Sequence, residues 1–503
     1  MDSKKLRDAH QAALAAILLV GFILRLIRLW ERDLWYDEAF AILYAKKSLG
    51  AILYGTVAQV EGAAADVHPL LYYFSLHFWM GLFGGSVFVV RFFSVIFGLL
   101  TVAVAYRLAK ELFGRRTALA AAGLTAFAPF HINYSQEGRM YAMFCFWSIL
   151  AVYFFVRAWR RGRWGDWAGF TLAGTLSLYT QNLAFAPLLA LVLFALAWIL
   201  ARKKWAILKP LFLSYLVMAL LFAPWVRVLA TQFGKVRQAY WVARPGAAEL
   251  FRTLIYFTFN QPLPTWLLPT ALFLSLALLV FSVYRLVRSR EREGIWLVAA
   301  LAFLPVGMLF LISQFKSVYI ERGMLPTAVA YYLFLAAIWT PRRARGKAAL
   351  LLIPFALVGA ISLQYHYTYA GFPRSPFRDA VAYMRANLRP GDVIIHDNKL
   401  TFFPCYYYDR SLPQTFVPDP PGAGSDTLAY PTQEALGLFA TPLEEAAGRH
   451  RQIWFVIFQK AFEEKWFREL GYEEHPDKAW LDEHYRQVKL ITFNDLNVYL
   501  YEK

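Results

Sequence analysis

Two adjacent carboxylates, Asp37 and Glu38, sit in the stretch LWYDEAF just past the first apolar run. Ionisable groups at a membrane edge are costly unless they are solvated, paired or used. A carboxylate there can take the proton of an attacking hydroxyl, and partial burial among Trp35, Tyr36 and Phe40 tunes its pKa upward. The competing reading is an ion pair with Arg28 or Arg32 that anchors the end of the preceding helix. Tyr134, Glu137 and Arg139 lie in a second stretch, YSQEGRMY. An arginine at a bilayer edge either holds a phosphate through two parallel donors or snorkels to the headgroups. Arg91 lies near the start of another apolar run, and Lys316, Glu321 and Arg322 flank a later one. Several cations at one edge, together with carboxylates, suit an anionic head group. Glu61, Asp66 and His68, with His131 as a further donor, are weak candidates for a divalent cation at irregular loop spacing. A satisfied structural histidine competes with that reading.

These residues must be positioned by elements that live in lipid. The chain has 503 residues, 59% of them hydrophobic, and a mean hydropathy of +0.40, which excludes a soluble enzyme. The net charge of +18 does not point to nucleic acid. Much of the Lys and Arg falls in short clusters at 4–7, 110–116, 157–163, 202–209, 285–292 and 342–347, between apolar runs. That is how positive-inside topology is written. The first apolar run is followed by Arg25 and Arg28 rather than by a small-residue cleavage site, so an uncleaved first helix is expected. Two cysteines, Cys145 and Cys405, cannot build a disulfide framework or a cysteine metal site.

Apolar runs at 10–30, 87–109, 117–131, 139–157, 165–181, 183–200, 208–230, 265–286, 295–314, 319–340 and 348–364 predict about eleven transmembrane helices. With the N-terminus cytoplasmic, that number puts the C-terminus outside. Residues 68–84, HPLLYYFSLHFWMGLFG, are short, and a span there would place the 110–116 cluster outside. They are expected as a helix in the outer interface, inside a first outer loop of residues 31–86. Asp37, His68, Arg91, Glu137, Arg139, Lys316, Glu321 and Arg322 then all gather at the outer edge.

After residue 368 the composition changes to that of a water-soluble domain. Helical periodicity over 377–388, strand-like runs at 393–395 and 453–458, a helix near 462–470 and strands near 488–492 and 497–501 predict a small α/β or α+β domain. A Pro/Gly-rich loop is expected at 418–424. The division is a transmembrane catalytic domain over 1–368 and an extracytoplasmic domain over 369–503.

The order LWYDEAF, VHPLLYYF, VRFFSVIFGLLTVAVAYRLAKELFG and FAPFHINYSQEGRMYA resembles the membrane glycosyltransferases of the GT-C superfamily. It is similar, more narrowly, to bacterial relatives of protein O-mannosyltransferases and lipid A aminoarabinose transferases. The resemblance covers about the first 200 residues, and YIERGMLPTAVAYYLFLA adds to it. It implies a polyprenyl-phosphate sugar donor, inversion at the sugar, and transfer on the extracytoplasmic side. The family's acidic residue of the first outer loop matches Asp37, with Glu38 beside it, and its arginine opening the next span matches Arg91. The family's His-Pro-Pro element stands here as His68-Pro69-Leu70, without the second proline. No Trp-Trp-Asp tripeptide occurs in the C-terminal part, which disfavours an oligosaccharyltransferase.

The chemistry of such a transfer needs a base for the acceptor hydroxyl and cations for the leaving phosphate. Asp37 and Glu38 are the expected catalytic pair. Arg91, Arg139, Lys316 and Arg322 are the expected phosphate ligands, and Glu137, His68, Tyr134 and Glu321 the expected sugar or acceptor contacts. No cofactor is required beyond an optional divalent cation. The expected partners are the lipid-linked donor, membrane lipids and an acceptor protein, lipid or glycan; nucleic acid is not among them. The expected location is the inner cell membrane. The rival is a transporter or flippase of lipid-linked sugars, for which interior Pro187 and Pro305 speak; charges at one edge and the absence of a repeat speak against it.

Overall fold

The structure, a computed structural model, describes residues 3–60, 63–238, 242–288, 293–340, 352–420, 427–448, 450–464 and 466–503. Glu61, the basic cluster at 342–347, the end of the one at 285–292, the start of the last apolar run and part of the loop at 418–424 lie outside the described residues. Two compact units are formed. One comprises Met1–Leu29, Arg91–Val226 and Val242–Thr368; the other comprises Trp30–Val90, Arg227–Trp241 and Tyr369–Lys503.

The first unit is helical. Among the described residues, seven helical stretches are long and apolar enough to cross a membrane: Asp8–Leu26, Val87–Phe113, Tyr141–Arg161, Asn182–Arg202, Trp205–Gln232, Thr265–Val287 and Glu293–Ile312. Three other expected spans are helical but shorter, at Arg115–Phe127, Trp164–Thr180 and Leu325–Trp339, and the last is helical over its described residues, Leu352–Thr368. Leu325–Trp339 has 15 residues and is buried on nearly every side. A helix apolar all round is one enclosed by other helices, and Tyr332 Oη donates to Phe257 O at 2.8 Å. Between the apolar runs at 208–230 and 265–286 lies a further helix, Ala247–Phe259. Its Ile255 and Phe259 pack with Leu267, Ala271 and Val358. Helix Tyr141–Arg161 ends at Gly162, whose φ of 65° is the left-handed cap that glycine supplies without strain.

In the second unit, residues 68–84 form the helix Leu71–Phe83. Thirteen residues rise only about 20 Å at 1.5 Å each, short of a hydrocarbon core. The C-terminal residues form a five-stranded mixed sheet, with strands in the order Gln414–Phe416, Val393–His396, Gln452–Phe458, Leu496–Glu502 and Arg486–Phe493. The first three are mutually parallel and the last two add antiparallel. Side chains alternate between faces. Ile395, Ile453, Phe455, Ile457 and Tyr501 face one core, and Ile394, Trp454, Val456, Phe458 and Val498 face the other. Helix Phe377–Asn387 covers the second face through Phe377, Val381 and Met384. The helix expected near 462–470 is instead a 3-10 turn, Gln459–Glu463, and a short helix, Trp466–Glu469.

Residues 30–90 are built onto this sheet domain. Helix Tyr36–Ala45 meets helix Lys399–Tyr408, where Phe403 lies edge-on to Tyr36 at 5.6 Å and against Phe40 at 5.8 Å. Helix Leu49–Val57 meets helix Tyr430–Leu436. There Gly55 allows a close approach: a Cβ on it would lie 2.6 Å from Tyr44 Oη and 2.8 Å from Ala435 Cβ. Thr432 Oγ1 donates to Gly55 O at 2.8 Å, and Tyr54 Oη donates to Glu434 at 2.9 Å.

Candidate active site

The two predicted carboxylates have different surroundings. Both lie in the first turn of Tyr36–Ala45, where the helix dipole favours negative charge. Glu38 is fully buried and takes Arg374 Nη1 on Oε2 at 2.6 Å. Asp37 is only partly buried. Arg374, at 8% exposure, also donates to Asp33 O at 3.4 Å.

The turn before them is held by a second set of contacts. Asp33 pairs with Arg378 at 2.9 Å, and Tyr408 Oη donates to Asp33 Oδ1 at 3.2 Å while accepting from Leu34 N at 2.8 Å. Arg378 Nη2 donates to Trp30 O at 2.6 Å. Burial nevertheless holds the Asp33 carboxyl above the usual carboxylate range, outweighing the Arg378 charge. Arg374, Arg378 and Tyr408 were not foreseen as site residues. Their only signal was the basic stretch PRSPFRD where the composition changes.

In the same unit, His68 Nδ1 lies 3.1 Å from Asp66 Oδ1, which also accepts from Val67 N at 2.6 Å. That oxygen orients the imidazole. Glu61 lies outside the described residues, and among the described residues no group of three or more His, Cys, Asp or Glu could hold a metal ion. His131, the other histidine considered, lies in the first unit, where its Nδ1 meets Arg25 Nη2 at 2.7 Å and must accept.

The first unit brings together several of the predicted phosphate and sugar ligands. YSQEGRMY forms the bend between helices Pro129–Ser135 and Tyr141–Arg161. Tyr134, Glu137 and Arg139 are all buried there, and Arg139 N donates to Glu137 O at 2.8 Å. Ser94 Oγ donates to Arg139 O at 3.4 Å. Tyr134 and Tyr141 meet edge to face at 5.4 Å, and the Arg322 guanidinium lies 5.4 Å from the Tyr141 ring centre. Glu137 and Arg322 both lie within electrostatic reach of Tyr134. Glu321 opens the 3-10 turn that carries Arg322 and feels both Arg252 and Arg322. Lys316 closes helix Glu293–Ile312, its N–H donating to Ile312 O at 2.9 Å. Arg91 Nη1 donates to Leu29 O at 2.8 Å. Arg28, offered above as an anchor for the carboxylates, donates to Tyr367 O at 2.9 Å.

Comparison with known proteins bears on the fold first. A family model described as dolichyl-phosphate-mannose-protein mannosyltransferase matches residues 67–227. The undecaprenyl phosphate-α-4-amino-4-deoxy-L-arabinose arabinosyl transferase of Pseudomonas paraeruginosa is 30% identical over 221 residues, 42% of this chain and 39% of that protein. Its counterpart in Pseudomonas aeruginosa is 30% identical over 200 residues, 38% of this chain and 35% of that protein. The chain thus matches well under half the length of these curated relatives. Among solved structures, ArnT from Cupriavidus metallidurans in the apo state aligns over 98% of both chains, with a TM-score of 0.64 and 13% identity. The archaeal oligosaccharyltransferase AglB from Archaeoglobus fulgidus, in complex with an inhibitory peptide and a dolichol-phosphate, covers 97% of this chain and 74% of that one, with a TM-score of 0.55 and 15% identity. The resemblance drawn from the sequence holds. The chain has the GT-C fold, is similar to the O-mannosyltransferases and aminoarabinose transferases, and is a multi-pass membrane protein.

Proposed function

We propose that this chain is an integral-membrane, inverting glycosyltransferase that moves a sugar from a polyprenyl-phosphate donor to an extracytoplasmic hydroxyl. The observation that carries the reading is the state of the carboxylate pair on this fold. Glu38 is fully buried and paired with Arg374, while Asp37 in the same first turn is only partly buried. A base must reach its proton, and of the two the less buried Asp37 suits that demand. Fold alone would not assign a reaction.

In this reading Asp37 removes the acceptor hydroxyl's proton as its oxygen attacks the anomeric carbon. The glycosidic bond to phosphate breaks, and its electron pair leaves with the lipid phosphate. Arg91, Arg139, Lys316 and Arg322 neutralise that phosphate, as preorganised cations do for developing charge. Tyr134, Glu137, Glu321 and His68 contact sugar or acceptor. No step is routed through a cation. The topology proposed is about eleven spans with the N-terminus cytoplasmic and the sheet domain outside, in the inner membrane. The boundary of the catalytic part is placed near residue 368.

The test is turnover by the purified full chain of undecaprenyl-phosphate mannose and undecaprenyl-phosphate 4-amino-4-deoxy-L-arabinose, with a simple alcohol as acceptor and mass spectrometry as the readout. Alkyl glycoside and free undecaprenyl phosphate appear together if the reading is right. Movement of the same lipids across liposomes without cleavage would overturn it in favour of a transporter.

A further inference from the structure

We propose that Arg374, contributed by the C-terminal domain, is a positioning residue that holds Asp37 ready to act as a base. The inference rests on the glycosyltransferase reading and adds a role for a domain which that reading leaves without one.

The geometry points to Arg374 on three counts. The Glu38–Arg374 contact at 2.6 Å joins two side chains 336 residues apart, with exposures of 0% and 8%. Glu38 is the next residue after Asp37 in the same helical turn, so whatever fixes Glu38 fixes the start of the helix. The residues on either side are bound to the same domain: Asp33 to Arg378 and Tyr408, Leu34 to Tyr408, and Tyr36 and Phe40 to Phe403. A helix start gripped at both ends by one sheet domain has little freedom to reorient its partly exposed carboxylate.

Loss of Arg374 therefore acts on Asp37 by loosening the helix that carries it.

The experiment compares the wild-type full chain with Arg374→Met and Arg374→Lys, each shown to be folded by its unfolding transition. Two readouts are taken. The first is amide hydrogen exchange over Tyr36–Ala45, followed by mass spectrometry, which does not depend on any donor. The second is kcat and KM for the two undecaprenyl-phosphate sugars named above. In Arg374→Met the exchange of this helix is expected to speed up by about 10-fold or more. Its kcat is expected to fall on the order of 10²-fold with donor KM little changed, as misplacement of a catalytic group does. Arg374→Lys, which keeps the charge, restores part of both. Unchanged exchange of the helix in folded Arg374→Met would overturn the proposal. So would a kcat within a few-fold of wild type, or a loss carried by donor KM alone. If Asp37→Asn turns over donor like wild type, the base assignment fails by itself, whatever Arg374 does.

Discussion

Gln136 and His366 are 230 residues apart in sequence, and their side chains meet at 2.8 Å, His366 Nε2 against Gln136 Oε1. The amide nitrogen of Gln136 donates in turn to Arg25 O at 3.0 Å and Ile27 O at 2.8 Å. These are carbonyls at the end of the first helix, where the last turn lacks intrahelical donors. One buried amide thus ties the first helix, the YSQEGRMY bend and the last helix of the unit together.

Removing that amide leaves buried carbonyls without a donor. Gln136→Ala is expected to cost about 2–4 kcal/mol, since each unsatisfied buried group costs about 1–3 kcal/mol. Gln136→Glu is expected to be no better, because a carboxylate cannot donate to a carbonyl. Thermal unfolding in detergent measures both. A Tm equal to that of wild type for Gln136→Glu would show that the amide donors carry no weight.

Arg322 rests over Tyr141, and Tyr141 packs edge-on to Tyr134. As a phosphate ligand, Arg322 should contribute mainly to donor binding. Arg322→Ala is expected to raise donor KM by about 10–100-fold, the worth of a hydrogen bond to a charged group. Tyr141→Leu removes the ring that seats the guanidinium and moves KM the same way by less. Steady-state kinetics with a fixed acceptor separates these from changes in kcat.

The close approach at Gly55 holds helix Leu49–Val57 on Tyr430–Leu436. Gly55→Val forces these helices apart at a cost of about 1–3 kcal/mol. Limited proteolysis is expected to cut the outer segment sooner while the membrane helices stay intact. An unchanged cleavage rate would mean that the contact contributes nothing to docking.

The sheet domain should show a readable pH dependence. Burial, reinforced by the Asp419 charge, pushes the Asp477 carboxyl up to about 7. The folded state therefore binds this proton more tightly than the unfolded chain does, and stability falls as pH rises between the two pKa values. His475 acts in the opposite sense, since burial lowers its imidazole to about 4 and acid costs stability below its unfolded value. Asp477→Asn is expected to raise the unfolding temperature, with a gain that grows from about pH 4 to about pH 7 and then levels. A gain that shrinks with rising pH would reverse the assignment.

Much of this fold is legible because lipid imposes a simple rule on composition. The apolar runs mark the helices of the first unit, short continuous apolar runs mark the strands at 393–396 and 452–458, and alternation marks the strand at 496–502. The runs at 165–181 and 319–340 are found as the helices Trp164–Thr180 and Leu325–Trp339, of 17 and 15 residues. The meeting of Tyr134, Tyr141 and Arg322 was approachable from the two stretches that carry them. The fate of Glu38 was not. Nothing local separates it from Asp37, and its partner lies 336 residues away. The docking of residues 30–90 onto the sheet domain depends on long-range contacts such as Thr432 with Gly55.

The most direct test of the whole account is donor turnover by Asp37→Asn against wild type, in protein shown to be folded by an unchanged unfolding transition. The account predicts a fall in kcat on the order of 10²–10⁴-fold, the usual worth of a general base, with donor KM nearly unchanged. Turnover within a few-fold of wild type would contradict it, because no other residue has been given the acceptor's proton.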